Sequence, residues 1–279
     1  MPASTLANGQ SVRRRTGETR SFASTVGETG ADPSGKMAEI SYTISDAFEE
    51  MDSCATESAA LVHLDDACAR PERNGGFGVE YPTHCFSDDD DHFDEIDSDR
   101  TVVEMLDHCH RVLKPGGVLL AEADAWLLPR LTAYLSREWG EYSYGIGGVT
   151  ALNNDGEPDK STPGMYLSNG GYSFVLATKA ACPVGFSLNF PTPRQREQYG
   201  WGTVKPLWPY EVLLEECTTP GDRILEPCAG TAPVAIAAEK HDLPISVDCF
   251  DIEPEAKAAY ERRREDELEW QATFGNFDA

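Results

Sequence analysis

Short apolar runs alternate with amphipathic stretches from about residue 39 onward, and the first 36 residues show neither pattern. Residues 40–44 alternate as a short strand, and residues 46–51 read as a helical turn capped by Asp46. Residues 59–64 (AALVHL) form a continuous apolar run, the signature of a strand covered on both faces, and the run stops at Asp65-Asp66. An amphipathic helix is predicted over 101–113, ended by Lys114-Pro115-Gly116-Gly117, and a second buried strand over 118–123. A helix over 126–139 and a strand over 172–178 follow. The last third repeats the rhythm: helix 210–217, strand 223–226, turn 228–231, helix 233–240, strand 245–251, and a charged helix from Pro254 to about residue 270. A seventh strand is expected within 144–155, whereas 70–99 and 180–204 read as irregular. Strands alternating with helices imply an α/β fold, a doubly wound and mostly parallel sheet of seven strands with helices on both faces.

Composition narrows the class. With 40% apolar and 25% charged residues in 279, the chain is globular, and residues 37–279 suit one α/β domain. Residues 1–36 are polar, contain Arg13-Arg14-Arg15 and lack the apolar core of a secretory signal; they are expected to be a disordered extension. No run reaches the 18 apolar residues of a membrane helix. The eight cysteines include no C-x-x-C pair, so neither zinc nor redox chemistry is indicated, and reduced thiols point to the cytoplasm. Charge changes the picture most. Asp and Glu number 48 against 23 Lys and Arg, a net charge of −25, and only seven of the basic residues are lysine. Such a charge opposes compactness and repels nucleic acid unless salt screens it, which molar salt does over a Debye length of about 3 Å. A halophilic source, haloarchaeal or a haloarchaeal virus, is therefore expected; an ordinary acidic cytosolic protein is the plainer reading.

The most specific chemistry lies between Asp222 and Asp251. A strand ends in Glu226-Pro227-Cys228-Ala229-Gly230-Thr231, a helix follows, and Asp251 closes the next strand 21 residues after Gly230. A small-residue turn before a helix, with an acid about 20 residues on, binds an adenosine whose ribose the acid holds. A dinucleotide turn would need three glycines, and this one has a single glycine. Other patterns invite plainer readings. Pro227-Cys228 is a core-packing pair inside the turn. His108 and His110 diverge on a helix and cannot share a metal with Cys109. Gly145-Ile146-Gly147-Gly148 reads as flexible linker, Arg262-Arg263-Arg264 as a solvated helix face, and Asp88–Asp91 as a solvated acidic run.

The turn resembles motif I (D-P-F-x-G-S-G-T) of S-adenosylmethionine-dependent methyltransferases. Before it, Lys205-Pro206-Leu207-Trp208-Pro209-Tyr210-Glu211-Val212-Leu213-Leu214-Glu215 resembles the K-P-x-x-L-L-E helix of permuted, beta-type amino-methylating DNA methyltransferases. The stretch from Cys109 to Gly117 is similar to their C-H-R-V-L-K-P-G-G junction, Ser45-Asp46-Ala47-Phe48 to G-D-A-L, and residues 57–65 to the strand leading into D-P-P-Y. The landmarks occur in that family's permuted order over residues 39–260. The resemblance implies a methyl group passed from S-adenosylmethionine to the exocyclic amine of adenine (N6) or cytosine (N4) in double-stranded DNA, as in restriction-modification, by a monomer or homodimer that needs no metal. It implies cofactor contacts from Asp46, Lys205, Pro206, Glu226, Cys228, Gly230, Thr231 and Asp251. In that set Asp251 takes the ribose, Asp46 the adenine amine, and Lys205 and Pro206 flank the methionine. Asp65, Asp66 and Cys68 would form the catalytic motif, with target recognition in loops at about 70–100 and 140–200.

Two departures matter. The catalytic motif reads Asp65-Asp66-Ala67-Cys68, with no proline and with cysteine where an aromatic ring stacks on the flipped base; Phe77 or Tyr81 would have to replace it. Motif I has Cys228 for phenylalanine and Ala232 for its second glycine. The alternatives are therefore an RNA methyltransferase of the same fold, or a catalytically impaired relative that binds cofactor or DNA.

Overall fold

The computed structural model describes residues 38–65, 95–96, 100–123, 127–140, 143–152, 171–179, 187–193, 199–201, 204–241 and 244–274. The N-terminal extension, Asp66, Cys68, Phe77, Tyr81 and Asp88–Asp91 lie outside the described residues.

The described elements are β1 (Glu39–Ile44), α1 (Ala47–Ser53), β2 (Ala59–Leu64), the short strands β3 (Glu95–Ile96) and β4 (Arg100–Thr101), α2 (Val102–Val112), β5 (Leu113–Ala123) and α3 (Leu127–Glu138). They continue with β6 (Tyr144–Leu152), β7 (Tyr172–Thr178), β8 (Ser187–Pro193), α4 (Trp208–Cys217), β9 (Arg223–Pro227), α5 (Pro233–Lys240), β10 (Ser246–Asp251) and α6 (Pro254–Phe274). Eight strands make one sheet in the order β1-β10-β9-β2-β5-β7-β6-β8, and β3 pairs with β4 separately. The pairs from β1 through β5 are all parallel; β7 runs antiparallel to both β5 and β6, and β6–β8 is parallel again.

Period-two alternation explains the two helical layers. On β2, β9 and β5 the neighbours Val62, Leu225 and Leu119 face a core closed by Met51 of α1, Met105 and Leu106 of α2 and Leu135 of α3. The adjacent residues Leu61, Ile224 and Leu120 face the opposite core, closed by Leu213 and Leu214 of α4, Ile236 of α5 and Tyr260 of α6. All six residues of β2 are buried, as a continuous apolar run in a central parallel strand should be.

Three expectations are corrected. The segment 180–204 contains an eighth strand, β8, which escaped notice because SLNFPTP carries two prolines; it is an edge strand, where proline is tolerated. Gly145–Gly148 is no linker but part of β6, paired with β7 throughout and with β8 from Ile146 onward. A Cβ on Gly147 would stand 2.3 Å from the Phe174 ring, so glycine there lets that ring lie across the strand. Finally, the arginine run on α6 is not a solvated face: Arg263 is fully buried. A helix turns 100° per residue, so only the middle arginine of three consecutive ones points inward here.

After β9 the chain feeds β10 on one side of the sheet, and after β2 it continues to β5 on the other. The carboxyl ends of β9 and β2 therefore flank a topological switch point, where open α/β sheets bind their ligands.

Candidate active site

The loop 228–232 leaves β9 at that switch point in a conformation built from alternating left-handed residues: Cys228 (φ 57°), Gly230 (φ 54°) and Ala232 (φ 44°). Only glycine adopts this region without strain, so Cys228 and Ala232 each hold the loop at a cost of about 1 kcal/mol. Several bonds over-determine it. Asp251, at the end of β10, accepts from Gly230 N at 2.8 Å and from Glu253 N at 3.0 Å. Tyr42 of β1 donates to the Gly230 carbonyl at 2.7 Å. Arg263 donates to Thr231 Oγ1 at 2.9 Å and to the Lys205 carbonyl at 2.5 Å, joining α6, the loop and the segment before α4.

The N-terminus of α5 has no side-chain cap from Ala232, and Pro233 occupies its first turn. Its free amides are met from below. Glu226 of β9 accepts from Val234 N and Ala235 N, each at 3.2 Å, and is wholly buried. The carboxylate sits where a helix dipole favours an anion.

Glu226 belongs to a larger buried polar group. His63 of β2 lies 2.9 Å from Glu226 through Nδ1 and 3.0 Å from Glu122 of β5 through Nε2. Burial opposes its charging, but the two carboxylates outweigh that and push it up to about 9. Glu122 also accepts from Tyr210 of α4 and from the Lys205 ammonium. Burial likewise resists its ionisation, yet Lys205 and His63 hold it below its ordinary value.

The expected site residues separate into two sets. Asp65, directly after β2, lies 3.5 Å from Lys205 Nζ. Cys228 is half-buried in the middle of the site; burial raises its thiol, and Asp251, Asp65 and Asp46 all act on it electrostatically. These three carboxylates stand at the ends of β10 and β2 and at the start of α1, and of them Asp251 bonds Gly230 directly. Asp46 also caps α1, accepting from Phe48 N at 2.8 Å. Burial lifts the Asp251 carboxyl above its ordinary value against the pull of the Glu253 and Gly230 amides. By contrast, Glu226, Thr231 and the Lys205 head group are turned inward and engaged by protein partners, and Pro206 is buried beside them. His108, Cys109 and His110 diverge as expected: Cys109 enters the core, His110 packs on Trp139 at 4.9 Å, and His108 approaches Glu104.

Tyr42, His63, Glu122, Tyr210 and Arg263 were not singled out from the sequence as site residues. A signal existed for two of them. His63 and Glu122 are ionisable residues inside otherwise apolar strand runs, and a buried charge needs a partner.

The sequence matches no protein-family model and no curated protein. Its fold is similar to solved structures. M1.HpyAVI superposes with a TM-score of 0.50 over 80% of this chain and 98% of its own, at 14% identity. The M1.HpyAVI–SAM complex gives 0.52 over 80% and 99%, also at 14% identity. The PvuII DNA methyltransferase (cytosine-N4-specific) gives 0.52 over 84% and 93%, again at 14%. With its sheet order and its loop at the switch point, the chain has the Rossmann-like methyltransferase fold.

Proposed function

We propose that the chain transfers a methyl group from S-adenosylmethionine to an exocyclic amine of DNA, N6 of adenine or N4 of cytosine. The observation that carries this reading is Glu226. In dinucleotide-binding folds the helix after the first strand offers its N-terminal amides to a pyrophosphate. Here Glu226 already fills that position with a carboxylate, which repels a phosphate. A nucleoside ligand without phosphates fits, and one carrying positive charge fits best, because Asp251, Asp65 and Asp46 all act electrostatically on Cys228 of the loop after β9. S-adenosylmethionine is such a ligand. One similar structure was solved with SAM, and another is named as a cytosine-N4-specific DNA methyltransferase.

When bound, S-adenosylmethionine supplies an electrophilic sulfonium methyl. Asp251 is placed to take the ribose hydroxyls while its bond to Gly230 N fixes the loop. Asp46 is assigned to the adenine amine of the cofactor. Asp65 would accept the N–H bonds of the target amine, drawing the lone pair out of the ring and aligning it for in-line attack; the proton released then passes to this carboxylate. Positioning and electrostatics provide the catalysis. The target base must leave the duplex, at a cost of a few kcal/mol. Recognition is assigned to residues 70–100 and, within 140–200, to the segments that connect β6, β7 and β8. Asp66 and Cys68 are assigned to the catalytic motif, and the permuted beta-type arrangement to the order of the motifs.

Transfer of labelled methyl from S-adenosylmethionine to duplex DNA, with RNA in parallel, tests the reading. Label in DNA that vanishes in D65A supports it, and nucleoside analysis then distinguishes N6 from N4. Label in RNA alone, or cofactor binding without transfer to either, overturns it.

A further inference from the structure

Five ionisable side chains form an unbroken series of contacts from the switch point into the sheet: Asp65, Lys205, Glu122, His63 and Glu226. Only the first reaches solvent to any extent. Its side chain is 24% exposed, against 6% for Lys205 and 1% for Glu122. Tyr210 donates to Glu122 from α4 and meets the Tyr172 hydroxyl at 2.9 Å, and the Tyr172 ring lies 4.3 Å from the Lys205 ammonium. Burying this many charges is costly, and apolar residues would fill the same space more cheaply. A doubly wound sheet does not need them.

We propose that Lys205, backed by Glu122 and Tyr210, is a positioning residue that fixes the orientation and charge of Asp65 rather than a ligand of the cofactor. The inference rests on the methyltransferase reading, in which Asp65 accepts the amine N–H bonds and must therefore be both ionised and still. Several acidic groups of neighbouring elements act on Asp65 electrostatically. They are the acids Glu122 of β5 and Asp251 of β10, together with the neutral Tyr172 of β7 and Cys228 of the loop after β9. His63, two residues earlier on the same face of β2, is clamped between Glu122 and Glu226. Lys205 supplies the cation at contact distance. Its ammonium bonds Glu122 and forms an ion pair with Asp65, which ties a rigid buried carboxylate to the more exposed one after β2. Tyr210 holds the far side of Glu122, so the whole assembly is anchored to α4. The Lys205 carbonyl is itself held by Arg263, which keeps the backbone of this residue from shifting.

Two variants with opposite expected signs test this. In K205M the acid limb of the methyl-transfer pH profile moves up by about one pH unit or more, because Asp65 loses its cation. Turnover falls at least about tenfold at neutral pH, while affinity for S-adenosylmethionine changes less than about threefold. In E122Q the limb moves down, because a nearby anion is removed and the ammonium is released to Asp65. A merely structural role would move neither limb in a sign-dependent way. Carbon NMR of protein labelled at aspartate carboxyls, with D65N for assignment, follows the Asp65 titration directly. It reads the effect even if no nucleic acid is methylated, so failure of the activity and failure of this inference are distinguishable. Should K205M not fold, E122Q and its downward shift decide alone. Identical Asp65 titration in wild type and variants, or a K205M whose cofactor affinity collapses while the limb stays in place, overturns the proposal.

Discussion

Nδ1 of His63 stands 2.9 Å from Oε1 of Glu226, and the other ring nitrogen is 3.0 Å from Glu122. An imidazole that donates from both nitrogens is an imidazolium, and the pair of glutamates push it up to about 9 from an ordinary 6.5 in spite of burial. Because the folded value exceeds the unfolded one, the stabilisation is fully present below about pH 6.5 and is lost as pH rises through about 9. The loss is about 2–4 kcal/mol between these limits. Urea midpoints from pH 6 to pH 10 should fall accordingly, with imidazole NMR showing His63 still protonated at pH 8. A neutral His63 at pH 8 removes the explanation.

Replacing Asp251 by alanine removes the expected ribose acceptor and also frees the Gly230 amide it holds. Affinity for S-adenosylmethionine should fall more than about tenfold, the usual result of leaving such donors unpaired. Calorimetric titration of wild type and D251A checks it, and equal affinities exclude Asp251 from the cofactor site.

Arg263 is fully buried and bonds both Thr231 and the Lys205 carbonyl. R263A leaves both acceptors without their donor, and opens a cavity where a large side chain stood. A loss of about 2–4 kcal/mol is expected, measured by chemical denaturation. Lysine should restore little of it, since one ammonium cannot reproduce the planar fork of a guanidinium. Full stability in R263K would contradict that geometry.

The charge of −25 should make folding and activity depend on salt. Most nucleic-acid enzymes lose affinity as salt rises, because phosphate contacts release counterions. Here the first effect of KCl is to screen self-repulsion and let DNA approach, so activity should climb toward roughly molar KCl. Circular dichroism and methyl transfer across a KCl series measure both. A protein folded and most active at about 0.1 M KCl would refute the halophilic reading and leave the methyltransferase reading untouched.

Much of the fold was legible because its signals were local. Residues 59–64 and 118–123 are apolar except for His63 and Glu122, and they lie in the central strands β2 and β5. The turn at 228–231 and Asp251 came together as their 21-residue spacing implied, since β9 and β10 are adjacent and in parallel register. What was not legible depended on distant partners. Nothing near Arg263 announces that it will meet Thr231, 32 residues away. The motif marks Lys205, but nothing near it announces that its ammonium will meet Glu122, 83 residues earlier. The β8 segment was hidden for a different reason, because its prolines argue against any strand until its place at the sheet edge is known.

Those same prolines bear on how the protein stays apart from its own copies. An unpaired strand edge invites another chain to add to the sheet, and acidic proteins ordinarily resist this by mutual repulsion. Concentrated salt removes that repulsion and, for many anions, strengthens apolar association as well. Pro191 and Pro193 have no N–H to offer an incoming strand at the β8 edge, and at the opposite edge Lys257 already donates to the Tyr42 carbonyl of β1. At the β8 margin the missing proline donors are backbone chemistry, which ionic strength does not switch off.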